Sequence, residues 1–228
     1  MALQHSPSIV TSGLVMCLDA ANRRSYSGSG TAWNDVSGTG NNGTLLNGVS
    51  YESTNNGTLV FNGIDQYSSV PQSATNNITS NQITFGSWCF PTISNKYQHM
   101  VVKNVGESRQ YGMWLSQNGT SQIFRNLNGV VAQTNVSIST DWGVNVWNYI
   151  ILVYNGSTIK IYLNGNEVFS EAATGNIVTT SSNVNIGGEP SQAFFFSGKI
   201  SNAIIYNQAL SASQVLQNFN AYRGRYGV

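Results

Sequence analysis

Charged side chains are scarce in this chain: 10 Lys and Arg with 9 Asp and Glu make 8% of 228 residues, and the formal net charge is +1. An ordinary globular protein carries about a quarter. Nucleic acid is excluded as the main partner, because that affinity rests on a concentrated basic surface. Here only Arg23–Arg24 and Arg223/Arg225 cluster. Apolar runs are short, and none approaches the ~18 residues of a membrane span, so no membrane insertion is expected. Cysteine is limited to Cys17 and Cys89, each inside an apolar run, GLVMCLDA and ITFGSWCF. They read as buried free thiols, since a lone pair lacks the cysteine density of a stapled secreted domain. Histidine is limited to His5 and His99, too scattered with the cysteines for a zinc site and not evidently set against a nucleophile. Among the nine acids none are two apart, and Glu167 and Glu171, the closest, lie about 13 Å apart along a strand. No catalytic carboxylate pair is legible.

Gly, Asn, Ser and Thr are abundant: 23 Gly stand against 4 Pro, with 40% apolar and 11% aromatic residues. This composition suits one sizeable core with many turns. The Gly residues follow Asn in turns and open no helix, so they form no phosphate cradle. The richest stretch is 147 to 188. Tyr149 to Tyr154 is an unbroken apolar run, as expected of a strand buried on both faces. Asn155-Gly156 predicts a two-residue hairpin turn. Ile159, Ile161 and Leu163 then alternate with Thr158, Lys160 and Tyr162, the period of a half-buried strand. A second turn at Asn164-Gly165, a strand from Val168 and another at Val184 and Ile186 predict an antiparallel meander.

Elsewhere the sequence predicts an arm over 1–12 and a single domain over 13–228 with a first strand at 13–20. A long loop over 22–47 is pinned by Trp33, and Asn62-Gly63 should turn a hairpin between Val60-Phe61 and Tyr67. Strands follow at 83–90, 100–103, 111–116, 121–124 and 130–138. One helix is expected near the end. Ser211 and Gln214 form a capping box, Leu210 and Val215 a hydrophobic staple, and Val215, Leu216, Phe219 and Tyr222 recur at helical intervals over about three turns.

VYNGSTIKIYLNGNEV, NVNIGG and FSGKISNAIIYNQALSASQV, with LVFNGIDQYSSVP and ITFGSWCFP before them, resemble the laminin-G-like jelly roll of the concanavalin A-like lectin/glucanase superfamily. The resemblance implies an all-β fold, a two-sheet antiparallel jelly-roll sandwich with one short C-terminal helix. The Glu-x-Asp-x-(x)-Glu strand of its glucanase branch is missing, which implies a non-enzymatic protein. It also implies a calcium ion in rim loops as a candidate, although in FNGIDQY Asn62 and Gln66 stand where the family has acids; Asp65 reads better as a turn cap.

Modules of this style, including the short tail, are similar to those of marine phage structural proteins. A bacteriophage capsid decoration or fibre component at the virion surface, adhering to host or environmental glycans, is therefore expected. A calcium-assisted lectin-like module is the alternative and a glycosidase the remote one. MALQHSPSIV has no signal-peptide features, so synthesis in a host cytoplasm is expected. For attachment to capsid, fibre or further copies of itself the chain offers aromatic and Arg anchors at Phe194, Phe195, Phe196, Tyr222, Arg223, Arg225 and Tyr226. Three consecutive phenylalanines in a strand cannot share one core, so one should face a second layer, a ligand or a partner.

Overall fold

A computed structural model of the chain describes residues 8–105, 108–115, 121–127, 130–136 and 142–228. They form a sandwich of two antiparallel sheets. The first runs β14 (Asn166–Ala172), β13 (Thr158–Leu163), β12 (Asn148–Tyr154), β7 (Ile83–Pro91), β16 (Ser197–Tyr206), β5 (Thr58–Asn62), β4 (Ser50–Glu52), and β1 (Leu14–Asp19) also pairs with β16. The edge of β16 that faces away from β7 is shared: Ser197–Ile200 pair with β5 and Asn202–Tyr206 with β1. The second sheet runs β11 (Val130–Val136), β10 (Ser121–Leu127), β9 (Ser108–Leu115), β8 (Gln98–Val105), β15 (Val184–Ile186), β6 (Tyr67–Val70), β3 (Gly43–Leu46), β2 (Ala32–Trp33).

Strand periodicity decides what each face meets. Ile150 and Leu152 of β12, Ile159 and Ile161 of β13 and Phe85 and Cys89 of β7 point into the core between the sheets. They meet Leu45, Val70, Tyr111, Met113 and Ile186 of the second sheet there. The alternate residues Tyr149, Ile151, Val153, Trp88 and Tyr206 form a second apolar cluster with Val215 and Phe219 of the helix α1 (Ala212–Tyr222) and with Tyr226 of the tail. Both faces of β12 are therefore buried, which is why its apolar run is unbroken. Burying a side chain as large as Trp88 on this outer face contributes roughly 2–3 kcal/mol.

The helix forms where its caps require. Ser211 accepts from the Gln214 backbone N–H, the Gln214 side chain accepts from Ser211 N–H, and Leu210 and Val215 are both buried. Residues 8–12 of the expected arm dock on this chain: Val10 N donates to Asn218 Oδ1 at 2.8 Å and Tyr206 OH to Val10 O at 2.9 Å. Residues 1–7 lie outside the described residues. Cys17 and Cys89 are free and buried on opposite faces of the first sheet, and burial pushes the Cys89 thiol up to about 12.

Four local expectations need correction. The turn at Asn62–Gly63 closes no hairpin, because β5 lies in the first sheet and β6 in the second. β15 likewise leaves the β12–β13–β14 meander to pair with β6 and β8. The β12–β13 connection has three residues, with Gly156 at φ 91° and Asn155 Oδ1 accepting from Ser157 and Thr158 N–H; Asn164-Gly165 does adopt positive φ at both positions. Phe194 to Phe196 precede β16 in irregular backbone, so strand alternation does not govern them. The 22–47 loop carries the short β2 and β3, and Trp33 is fully buried.

Candidate functional site

The helix, tail and amino-terminal segment occupy the outer face of the first sheet, which leaves the outer face of the second for a ligand. There β6 presents Tyr67 and Ser69 while Ser68 is turned inward, and Asn185 of β15 is level with Ser69. The β15–β16 loop folds back over this face. Gly187 N donates to Met100 O at 3.0 Å, His99 N to Phe194 O at 3.2 Å and Phe196 N to Gly187 O at 2.8 Å. Gly187 must be glycine: its φ is 78°, and a Cβ there would lie 2.6 Å from the Phe61 ring.

The folded loop divides the face in two. On one side Phe194 packs with Tyr97, His99 and Trp114, ring centroids 5.3, 5.6 and 6.3 Å away. On the other lies a cavity of about 310 Å³ lined by Tyr67, Ser69 and Asn185 of the strands, by Ser181 to Asn183, and by Glu189 to Ser191. Asn183 Nδ2 donates to Ser69 Oγ at 3.1 Å and its Oδ1 accepts from Gln72 N, so that amide is held in place. Glu189, 1% exposed, accepts from Ser191 N at 3.0 Å and from Ser191 Oγ at 2.7 Å. Asn185 is 4% exposed, and its Oδ1 is buried without a hydrogen-bond partner in the chain. It is one of several buried side-chain atoms without a partner and the one among them whose residue lines this cavity, where a ligand donor could satisfy it.

Behind the cavity Lys103 is fully buried, its ammonium donating to Ser182 O at 2.5 Å and Asn76 Oδ1 at 3.2 Å. Burial brings its pKa down from 10.5 to about 8. The cavity is thus built from hydroxyls, amides, one aromatic ring and one internally bonded carboxylate. It can orient a hydroxyl-rich ligand.

The described acids are mostly engaged elsewhere. Asp19 pairs with Arg225, Glu52 with Lys199 and Glu167 with Lys160. Asp35 holds its own loop through Cys17 N, Ser37 and Thr39. Glu107 and Asp141 lie outside the described residues.

The FNGIDQY turn does not fit a calcium ion. Asn62 Oδ1 accepts from Ile64, Asp65 and Gln66 N–H, Asn62 Nδ2 donates to Asp65 Oδ1 at 2.9 Å, and the Lys96 ammonium sits on Gly63 O. A dication needs free hard oxygens in place of these. Asn62, and not Asp65, caps the turn. No group of three or more His, Cys, Asp or Glu side chains that could hold a metal occurs among the described residues.

Of the residues singled out from sequence, Phe194 is half-buried in the aromatic cluster, Phe195 is buried against Tyr67 at 6.2 Å, and Phe196 is in the core against Phe61. Tyr226 is buried between Trp88 and Trp147, at 4.2 and 4.5 Å. These buried rings serve this chain's own packing and offer no exposed anchor. Arg225 lies 4.2 Å over the Tyr222 ring and bonds Asp19, while Arg223 remains exposed. The two groups sit on opposite faces of the sandwich and form no common site. Tyr67 and Ser69 stand in LVFNGIDQYSSVP and Asn183 and Asn185 in NVNIGG, stretches that carry the family resemblance, yet no site motif marked them or Glu189. The one signal available was the alternation in Asn183-Val184-Asn185-Ile186, which puts two amides on one strand face.

The laminin-G profile of the concanavalin A-like lectin/glucanases superfamily matches residues 61–216. The chain belongs to this superfamily. As a concanavalin A-like domain it is similar in fold to the binding domain of Paraclostridial Mosquitocidal Protein 1, with TM-score 0.72 and 18% identity over 92% of this chain and 52% of that one. Domain 4 of AbnA, a GH43 extracellular arabinanase from Geobacillus stearothermophilus, solved with arabinotriose, gives TM-score 0.71 and 17% identity over 91% and 98%. The binding domain of Botulinum Neurotoxin DC, solved with SialylT, gives 0.70 and 13% over 93% and 52%. The chain thus spans about half the length of the two toxin domains and nearly all of the arabinanase domain. Among curated proteins none matches in sequence. No helix among the described residues is long and apolar enough to cross a membrane.

Proposed function

We propose that this concanavalin A-like domain is a non-catalytic carbohydrate-binding module whose ligand sits on the outer face of the second sheet. The observation that carries the reading is the cavity of about 310 Å³ in which the buried Asn185 Oδ1 lacks a partner. Binding sites of this size orient their ligand with a few convergent polar groups beside an aromatic wall, and Tyr67, Ser69, Asn183 and Asn185 supply both. Solved relatives of the same fold carry arabinotriose or SialylT, which agrees with such a role.

The finer reading, a phage virion surface protein that displays this module on a capsid or fibre, draws support from the very low charge and from the sequence resemblance. Exposed Arg223 and half-buried Tyr222 are then the tail residues still available to a neighbouring protein or a second copy. A glycan array probed with the purified chain tests the module. Binding above background to at least one glycan class is expected, and silence across neutral and acidic glycans alike would overturn it. Mass spectrometry of purified phage particles tests the virion role, which fails if the chain is missing from them.

A further inference from the structure

We infer that the cavity selects neutral, hydroxyl-rich sugar residues and rejects carboxylated ones such as sialic or uronic acids, an inference that rests on the proposed binding role. Among the described residues its lining carries a single charged side chain, the carboxylate of Glu189, and no cation. Glu189 is 1% exposed, and both its oxygens accept from Ser191, bonds that hold the carboxylate in place at the cavity wall. A ligand carboxylate brought here loses water, gains no Arg or Lys in return, and meets a like charge in a low-dielectric setting. Like-charge juxtaposition of this kind rejects a partner by more than a neutral contact gains.

The described cation behind the cavity does not reverse this. The ammonium of Lys103 is turned away behind the Ser182 carbonyl, where Ser182 O and Asn76 Oδ1 take its hydrogen bonds, and it does not line the cavity. Asn185 supplies the positive half of the selection. Its amide can present oxygen or NH₂ by rotation, and a sugar hydroxyl both donates and accepts. A carboxylate only accepts, so it can take the Asn185 NH₂ but supplies no donor to Oδ1.

Saturation-transfer NMR and calorimetry with matched ligands test the inference: arabinotriose, cellotriose and lactose against trigalacturonate and 3′-sialyllactose. Neutral ligands should bind at least about tenfold more tightly than carboxylated ones, the fold-change expected when a buried charge is left unpaired. Asn185→Leu should weaken neutral binding by roughly fivefold to tenfold. Glu189→Gln, nearly isosteric, should narrow the gap between neutral and carboxylated ligands by removing the like charge, which reads the same inference should Asn185→Leu fail to fold. Equal or tighter binding of carboxylated ligands, or an unchanged gap in Glu189→Gln, would overturn the selection and leave the binding role standing. Neutral binding untouched in a folded Asn185→Leu would place the ligand elsewhere and overturn it too. Silence for every ligand would remove the binding role and this inference together.

Discussion

Arg225 Nη1 donates to both carboxylate oxygens of Asp19, at 2.9 and 3.1 Å, and so closes a loop of 206 residues between the first strand and the last turn of the chain. Asp19 is 2% exposed and carries Ala21 N as well, so the guanidinium is the charge that balances a buried carboxylate. The tail it anchors brings Tyr226 onto Trp88, and Asn55 Nδ2 donates to Arg225 O at 2.8 Å.

Replacing Arg225 by Ala should destabilise the fold by roughly 2–4 kcal/mol, because it strands a buried carboxylate and not because it loses one contact. The additional substitution Asp19→Asn should recover part of the loss, since it removes the stranded charge. Thermal unfolding followed by circular dichroism measures both. A single mutant that melts within about 1 °C of the wild type would show that the tail is not a staple.

Stability should depend on alkaline pH in two opposed ways. Lys103 has a folded pKa near 8 against 10.5 when exposed, so between these values the unfolded chain holds a proton that the folded chain has released. Stability therefore rises with pH across that window, by at most about 1.4 kcal/mol per unit. The thiols of Cys17 and Cys89 are raised by burial above the usual 9, and the tyrosines Tyr111, Tyr149, Tyr206, Tyr222 and Tyr226 above the usual 10, so past those pH values the unfolded chain ionises first and stability falls. Urea unfolding at intervals from pH 7 to 11 should show a maximum between about 8 and 9, and Lys103→Met should abolish the rising limb. A rising limb that survives the substitution would assign it to another group.

Calcium should leave the fold unmoved. A site of micromolar affinity at millimolar calcium would add about 3–4 kcal/mol and raise Tm by several degrees, whereas the Asn62–Gln66 turn has its oxygens already bonded and Lys96 upon it. Scanning fluorimetry in calcium and in EDTA should agree within about 1 °C. A clear calcium-dependent rise would show that hard oxygens outside this turn assemble a site.

Gly187→Ala should cost about 1–3 kcal/mol, since the position needs positive φ and the new methyl would press on the Phe61 ring. The same change displaces the start of the loop that walls the cavity, so glycan binding should weaken along with Tm. Wild-type melting would mean that the backbone relaxes freely there.

Much of the architecture was written in local pattern. The unbroken run Tyr149–Tyr154, the alternation after Ile159 and the Ser211/Gln214 box each depend on residues within a few positions of one another, and the free energies that hold them are local: strand faces, turn conformations, a helix cap. So the sandwich class, the β12–β14 meander and the last helix could be stated from sequence. Whether the turn at Asn62–Gly63 folds strands together or sends them to different sheets could not, because that depends on which distant strand offers a better partner, Ser197–Ile200 for β5 and Ser68–Ser69 for the far end of β15.

The same holds for the site. Aromatic triplets and Arg-rich tails stand out in a sequence as anchors, yet Phe195, Phe196 and Tyr226 turn out to be buried, because the layer in which a ring ends is set by the loop or tail that carries it. Tyr67, Ser69, Asn185 and Glu189 are ordinary residues in the chain and become a site only where β6, β15 and the returning loop converge. Local order determined the strands and the helix; the long-range pairing of β15 between β6 and β8 decided the cavity, since only that pairing brings one amide and one hydroxyl level on that face and leaves the Asn185 Oδ1 buried without a partner.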